Sequence, residues 1–161
     1  GAFYSNFESK DELFVELLGH HLDAEVETLS RALARVESAA DLAPAIERRY
    51  QVLGEDSSWC VLTTEFQLYA MRGGTKAVQF SEMYEHYRQR LGDLIANHFD
   101  RLGIASELSP YEFGVSQIAL SHGLALQRAA NGSLDSSLPA RALVIFIRGA
   151  IAESSGTVRK P

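Results

Sequence analysis

Five histidines are the side chains in this sequence with the most obvious capacity to bind a metal ion. Glu82 and His86 stand four residues apart, which places both groups on one face of a helix. His20 and His21 are adjacent, so on a helix they point about 100° apart and cannot share one ion. No H-E-x-x-H motif and no pair of cysteines supplies further ligands. The pattern therefore favours solvated or core histidines, and we expect no metal and no cofactor.

One histidine, His122, has a sequence context that suits ligand binding. It stands between Ser121 and Gly123 in an otherwise small and apolar helical segment. A polar group that points inward from such a segment can orient a bound molecule.

Trp59 and Cys60 suggest either a thiol sensor beside an aromatic platform or a small core residue beside a core aromatic. No Lys, Arg or His adjoins them in sequence to favour the thiolate, which supports the second interpretation. The chain also has no G-x-S-x-G elbow, no P-loop and no G-x-G-x-x-G fingerprint. We therefore predict that it is not an enzyme, with a metal-dependent enzyme using Glu82 and His86 as the most distant alternative.

Composition limits the possible partners. The chain has 161 residues, 46% of them hydrophobic, which is enough for a sizeable core. A net charge of -6 disfavours a nucleic-acid binder that uses its whole surface, so any DNA-binding surface must be local. The single cysteine favours a reducing, cytoplasmic location. No apolar run reaches the ~18 residues of a membrane span, so we expect no membrane partner.

The apolar residues recur at helical spacing almost throughout, which predicts an all-α fold. The first predicted helix, from about Lys10 to Val36, would be roughly 40 Å long. The helices predicted after it are Asp41–Leu53, with Asp41 as its N-cap, Trp59–Arg72, Thr75–Leu102, Pro110–Ala130 and Leu138–Glu153.

The first fourteen residues are typical of a helix end, a short turn and the capped start of a second helix. Ser9 and Glu12 have the spacing of a capping box. The pattern Tyr4-x-x-Phe7-x-Ser9-Lys10, followed by two acidic residues, Leu and Phe, resembles the end of the helix-turn-helix of TetR-type transcriptional repressors.

This resemblance implies four DNA-binding residues. Tyr4 would contact the DNA backbone, Ser5 and Asn6 would face the DNA, and Lys10 would contact a phosphate. The chemistry is suitable, because phenol and ammonium groups donate to phosphate and Asn can read adenine. The chain begins inside the motif, so we expect operator DNA to be a partner of the full-length protein only.

The helix order and two short segments, 65–72 and 123–127, are similar to the ligand-binding and dimerisation domain of the same family. The implied domains are a helix-turn-helix remnant over 1–18, a ligand-binding and dimerisation domain over 19–153, and a flexible tail over 154–161. A cavity lined by aromatic groups would bind a hydrophobic or aromatic effector. The effector-binding residues expected on this basis are Trp59, Phe66, Tyr69, Phe80, Tyr84, Tyr87 and His122.

The resemblance also implies a homodimer in which the last two helices pair with their twofold mates as a four-helix bundle. The last helix is apolar around most of its circumference, which is consistent with burial on two sides. The residues expected at this interface are Phe113, Gln117, Leu120, Leu124, Leu143, Phe146 and Ile147.

Together these observations predict a TetR-type repressor whose DNA binding is relieved when a small effector shifts the first helix. The alternative is a stand-alone all-α binding or scaffold protein in which the opening motif is coincidental. The sequence names neither the effector nor the operator.

Overall fold

The computed structural model describes residues 9–53 and 58–152. This part of the chain consists of six α-helices with no strand, which confirms the all-α prediction. The helices are α1 (Lys10–Leu33), α2 (Ala39–Leu53), α3 (Ser58–Met71), α4 (Ala77–Leu102), α5 (Pro110–Ala130) and α6 (Leu138–Ala152). The predicted DNA contacts Tyr4, Ser5 and Asn6, and the tail over 154–161, lie outside the described residues.

Helix α1 begins where the capping pattern predicts. The Ser9 hydroxyl accepts a hydrogen bond from the backbone N–H of Glu12 at 3.1 Å. Lys10 is the first helical residue and is exposed. The helix buries one apolar stripe at steps of three and four, and it ends at Leu33, earlier than predicted. Its buried residues are Val15, Leu18, Leu22, Val26, Leu29 and Leu33.

Helix α2 begins before Asp41, so the prediction of Asp41 as its N-cap is wrong. The backbone N–H and the hydroxyl of Ser38 both donate to Asp41 Oδ2, at 3.2 and 2.6 Å. Asp41 therefore accepts hydrogen bonds from within the first turn, where its charge also suits the helix dipole.

Helices α4 and α5 are consecutive in the chain and pack closely against each other. Gly103 ends α4 in the left-handed conformation, with φ 62°, as predicted for a glycine stop. The predicted capping box of Ser109 and Glu112 opens α5. A Cβ on Gly92 would lie only 3.1 Å from the Tyr111 Cα, so the absence of a side chain there permits the close approach.

The core consists of two clusters at different heights along α1. The larger joins the C-terminal half of α1 to α2, α4, α5 and α6. The smaller, here called the aromatic cluster, joins the N-terminal half of α1 to α3 and α4. The buried and half-buried members of the aromatic cluster are Phe14, Leu18, Leu22, Trp59, Phe66, Ala70, Phe80, Met83, Tyr84 and Tyr87.

None of the helices, as far as the structure describes them, is long and apolar enough to cross a membrane.

Candidate ligand-binding site

A cavity of about 410 Å³ lies between the helices. This volume is within the range of about 300–1,000 Å³ that is usual for small-molecule sites. Each of the six helices contributes at least one residue to the wall, and α1 contributes five. The α1 residues in the wall are His21, Leu22, Glu25, Val26 and Leu29.

Much of the wall is apolar, and it includes a stacked pair of aromatic rings. Leu22, Val26 and Leu91 contribute aliphatic surface. The Trp59 indole is stacked on the His21 imidazole, with ring centroids 4.0 Å apart and planes 8° apart. A planar apolar molecule would find both dispersion contacts and a matching shape here.

One side of the wall carries a buried ion pair between Arg49 and Glu25. The Arg49 side chain is 6% exposed and that of Glu25 is 28% exposed. Arg49 Nη2 donates to the Glu25 carboxylate and, at 3.4 Å, to the Glu25 backbone carbonyl. Arg49 Nη1 is buried and has no acceptor among the described residues. A buried guanidinium N–H without an acceptor raises the free energy of the empty site.

Two tyrosines and an amide extend this polar side. Gln117 Nε2 donates to the Tyr50 hydroxyl at 3.3 Å. Burial raises the pKa of the Tyr87 hydroxyl, with a smaller contribution from neighbouring Tyr50. Tyr87 therefore stays protonated at neutral pH and can donate a hydrogen bond into the cavity.

His122 lies in the cavity wall on α5. Burial lowers the pKa of its imidazole below 6.5, and the nearby His21 lowers it further. At neutral pH the ring is therefore uncharged, so it offers one donor and one acceptor.

Three of the seven residues predicted to bind the effector line this cavity, namely Trp59, Tyr87 and His122. Their role in binding stays a prediction. Phe66, Phe80 and Tyr84 lie outside the cavity wall, within the aromatic cluster.

The aromatic cluster is continuous along α3 and α4. Phe66 stacks on Phe14 of α1 at 3.9 Å and contacts Phe80 at 5.6 Å between ring centroids. Phe80 in turn stacks on Tyr84 at 5.6 Å. These rings therefore join α1 to α3 and α4. Aromatic residues at helical spacing can pack in a core in this way as well as line a cavity.

Tyr69 also lies outside the cavity wall, near the end of α3. Its hydroxyl donates to Asp11 Oδ2 at 2.9 Å. Because Asp11 lies in the first turn of α1, this bond connects the end of α3 to the start of α1.

Sequence reasoning missed Arg49 and Glu25. They are 24 positions apart, and no local pattern marks their pairing. Gln117, which we expected at a dimer interface, lies in the cavity wall.

The residues predicted for the dimer interface divide into two groups. Phe113, Gln117, Leu143 and Ile147 are buried within the chain itself and offer no surface to a partner. The other three, Leu120, Leu124 and Phe146, are half-buried, and their contact with a second subunit stays a prediction.

Within residues 9–53 and 58–152, no group of three or more His, Cys, Asp or Glu side chains is arranged to hold a metal ion. Glu82 and His86 are both exposed on α4.

Comparison with family models, curated proteins and solved structures finds no match to this chain. What the cavity does must therefore be inferred from its own geometry.

Proposed function

We propose that this chain is the ligand-sensing and dimerising part of a TetR-type transcriptional repressor, released from DNA by a small effector with a large apolar or aromatic portion. The observation that supports this most directly is that α1 supplies five residues to the cavity wall. The N-terminal end of the same helix follows the motif that resembles a DNA reader. A ligand in the cavity would therefore contact the helix that leads to the DNA-binding residues.

The contacts of α3 offer a second route from the cavity to the start of α1. Trp59 and Thr63 near one end of α3 line the cavity. Near the other end, Phe66 stacks on Phe14 and Tyr69 is hydrogen-bonded to Asp11. A ligand that displaces α3 would therefore also displace the first turn of α1.

In a homodimer, such a shift would change the spacing of the two recognition helices. Two half-sites on DNA are separated by a nearly fixed distance, so a small change of spacing weakens binding. By thermodynamic linkage, the effector must bind the conformation with low affinity for DNA more tightly than the other.

Ligand binding in the cavity can be tested by a thermal-shift screen of small aromatic molecules against the chain. A compound at 100 times its Kd stabilises the fold by ~2.7 kcal/mol, which raises the Tm of a chain of this size by roughly 5–10 °C. Ala125 lies in the wall of the cavity on α5, whereas Ala129 on the same helix is exposed and outside it. We expect Ala125→Phe to abolish the shift and Ala129→Phe to preserve it.

DNA binding requires a separate test on the gene product translated from its own start codon. We expect that protein to bind DNA flanking its gene in a mobility-shift assay, and compounds from the screen to release it. Failure of the protein to bind that DNA, or release that is equal in Ala125→Phe, would contradict the proposal. Ligand binding with no DNA binding would favour a stand-alone helical binding protein instead.

A further inference from the structure

We infer that the cavity selects an aromatic carboxylate, whose carboxylate is held by Arg49 and whose ring lies against Trp59. This inference rests on the proposed function and specifies the chemical class of its effector.

The unpaired nitrogen of Arg49 is the first observation. The Arg49 side chain is only 6% exposed, and it lines the cavity. Glu25 accepts only from Nη2, and Nη1 has no acceptor among the described residues. A guanidinium can serve two carboxylates at once, because its five N–H donors point in different directions. A ligand carboxylate would satisfy the donor that the empty site leaves unpaired.

The balance of charge in the wall is the second observation. Among the described residues, two arginines, Arg49 and Arg128, and one acidic residue, Glu25, line the cavity. Glu25 is already engaged by Arg49, and Asp135 lies near Arg128 outside the wall. The described part of the wall therefore carries no unneutralised carboxylate that would repel an anion.

The uncharged polar groups in the wall also suit an anion. The Tyr50 hydroxyl accepts from Gln117, which leaves its own proton to be donated. The Tyr87 hydroxyl is protonated at neutral pH, and burial raises its pKa further. Carboxylates accept hydrogen bonds and donate none, so both phenols are matched to such a ligand.

The remainder of the wall argues for a ring on the same molecule. The stacked pair of Trp59 and His21 contributes aromatic surface to the wall, and Leu22, Val26 and Leu29 contribute aliphatic surface. A small inorganic anion would leave this surface without a contact, whereas a bicyclic aromatic acid would cover it. One charge and one planar apolar body are therefore expected in the same ligand.

Naphthoate and its uncharged amide, naphthamide, are suitable probes because they differ mainly in charge. Their Kd values would be measured by calorimetry on the chain at pH 7.5, where the acid is ionised. Since a charge-assisted hydrogen bond contributes more than a neutral one, we expect naphthoate to bind about tenfold or more tightly than naphthamide.

Three variants test whether Arg49 produces that preference. Glu25→Gln removes a negative charge that would lie near the ligand carboxylate and repel it, so naphthoate should bind several-fold more tightly. The double variant Glu25→Gln/Arg49→Gln avoids an unpaired buried charge and should abolish the preference, with naphthamide binding changed by less than about threefold. Asp23→Asn/Arg90→Gln removes a paired acid and base that lie outside the cavity wall, and it should preserve the preference.

Failure of this inference can be distinguished from failure of the proposed function. Equal affinities of the wild-type chain for both probes, or a preference that survives in the Glu25→Gln/Arg49→Gln variant, would overturn this inference and leave the proposed cavity function standing. If neither probe binds and the thermal-shift screen also finds no ligand, the proposed function fails as well.

Discussion

Leu17 and Leu18 are neighbours in α1 with opposite environments. Leu18 is 0% exposed and belongs to the aromatic cluster, whereas Leu17 is 44% exposed. Hydrophobicity alone does not distinguish the two side chains. The helical period does, because adjacent residues on a helix point about 100° apart and the apolar stripe of α1 runs through Leu18.

We expect Leu18→Ala to lower the free energy of unfolding by about 2–5 kcal/mol, because it leaves a cavity in packed surroundings. Leu17→Ala is the matched control and should change it by no more than about 0.5 kcal/mol. Urea denaturation monitored by circular dichroism measures the free energy of unfolding of both variants. Similar losses in the two variants would mean that α1 presents a different face to the core.

At the scale of a single element, the start of α5 depends on reciprocal hydrogen bonds between Ser109 and Glu112. The Ser109 hydroxyl accepts from the Glu112 backbone N–H at 3.2 Å, and Glu112 Oε2 accepts from the Ser109 backbone N–H at 2.9 Å. The Ser109 hydroxyl, followed by its backbone N–H, lowers the pKa of the Glu112 carboxyl from 4.5. The carboxylate is therefore bound more favourably in the folded chain than the neutral acid.

We expect Glu112→Gln to destabilise the chain at pH 7 and to matter less as the pH falls. A folded-state pKa below the unfolded value contributes stability above the unfolded pKa, and this stability is lost as the pH falls through the folded pKa. Urea midpoints of wild type and variant should therefore converge between about pH 5 and pH 3. In a Ser109→Ala background the difference at pH 7 should shrink; a difference that does not change with pH would contradict the capping role.

Helix α1 is a second element with a role of its own, because one continuous helix runs from the cavity wall to Lys10. It has 24 residues, and about 17 Å of helix separates His21 in the cavity wall from Lys10 at its start. Because α1 is continuous, a displacement of the helix at the cavity would also move Lys10 at its start. The proposed release of DNA requires such a movement.

For the whole molecule, we predict that the face of α5 and α6 that carries Ile145 contacts a second subunit. Ile145 on α6 is 72% exposed, and Leu120 and Leu124 on α5 are half-buried. A Cβ on Gly123 or Gly149 would meet no atom within 4 Å. The small residues would let the helices of two copies approach closely. The exposed isoleucine would give the two copies apolar surface to bury.

We expect the wild-type chain to sediment as a dimer and Ile145→Asp to sediment as a monomer, because the substitution would bury a charge in the interface. Val78 on α4 is 71% exposed and provides the matched control, so Val78→Asp should leave the dimer intact. Sedimentation velocity at several concentrations measures both. A monomeric wild type, or equal dissociation in both variants, would exclude this face as the interface.

The extent to which the site could be predicted differs between residues. Of the residues expected to bind an effector, His122, Trp59 and Tyr87 line the cavity, and their role in binding stays a prediction, whereas Phe66 and Phe80 lie in packed core. Aromatic residues at helical spacing occur on both kinds of surface, so the spacing does not separate them. Helical spacing likewise does not separate a face that packs inside the chain from one that contacts a partner, and four of the residues expected at the dimer interface are buried within the chain.

Local physics was sufficient for the helices and for several of their ends, although α1 ends earlier and α2 begins earlier than the sequence predicted. The apolar period, the capping box at Ser109 and the glycine stop at Gly103 all depend on residues within a few positions of one another. The pairing of Arg49 with Glu25, the cavity beside them and the separation of cavity wall from core depend on residues far apart in the chain. These features arise only when the helices pack, because a side chain's neighbours are set by the distances between helices and not by the order of residues along one of them.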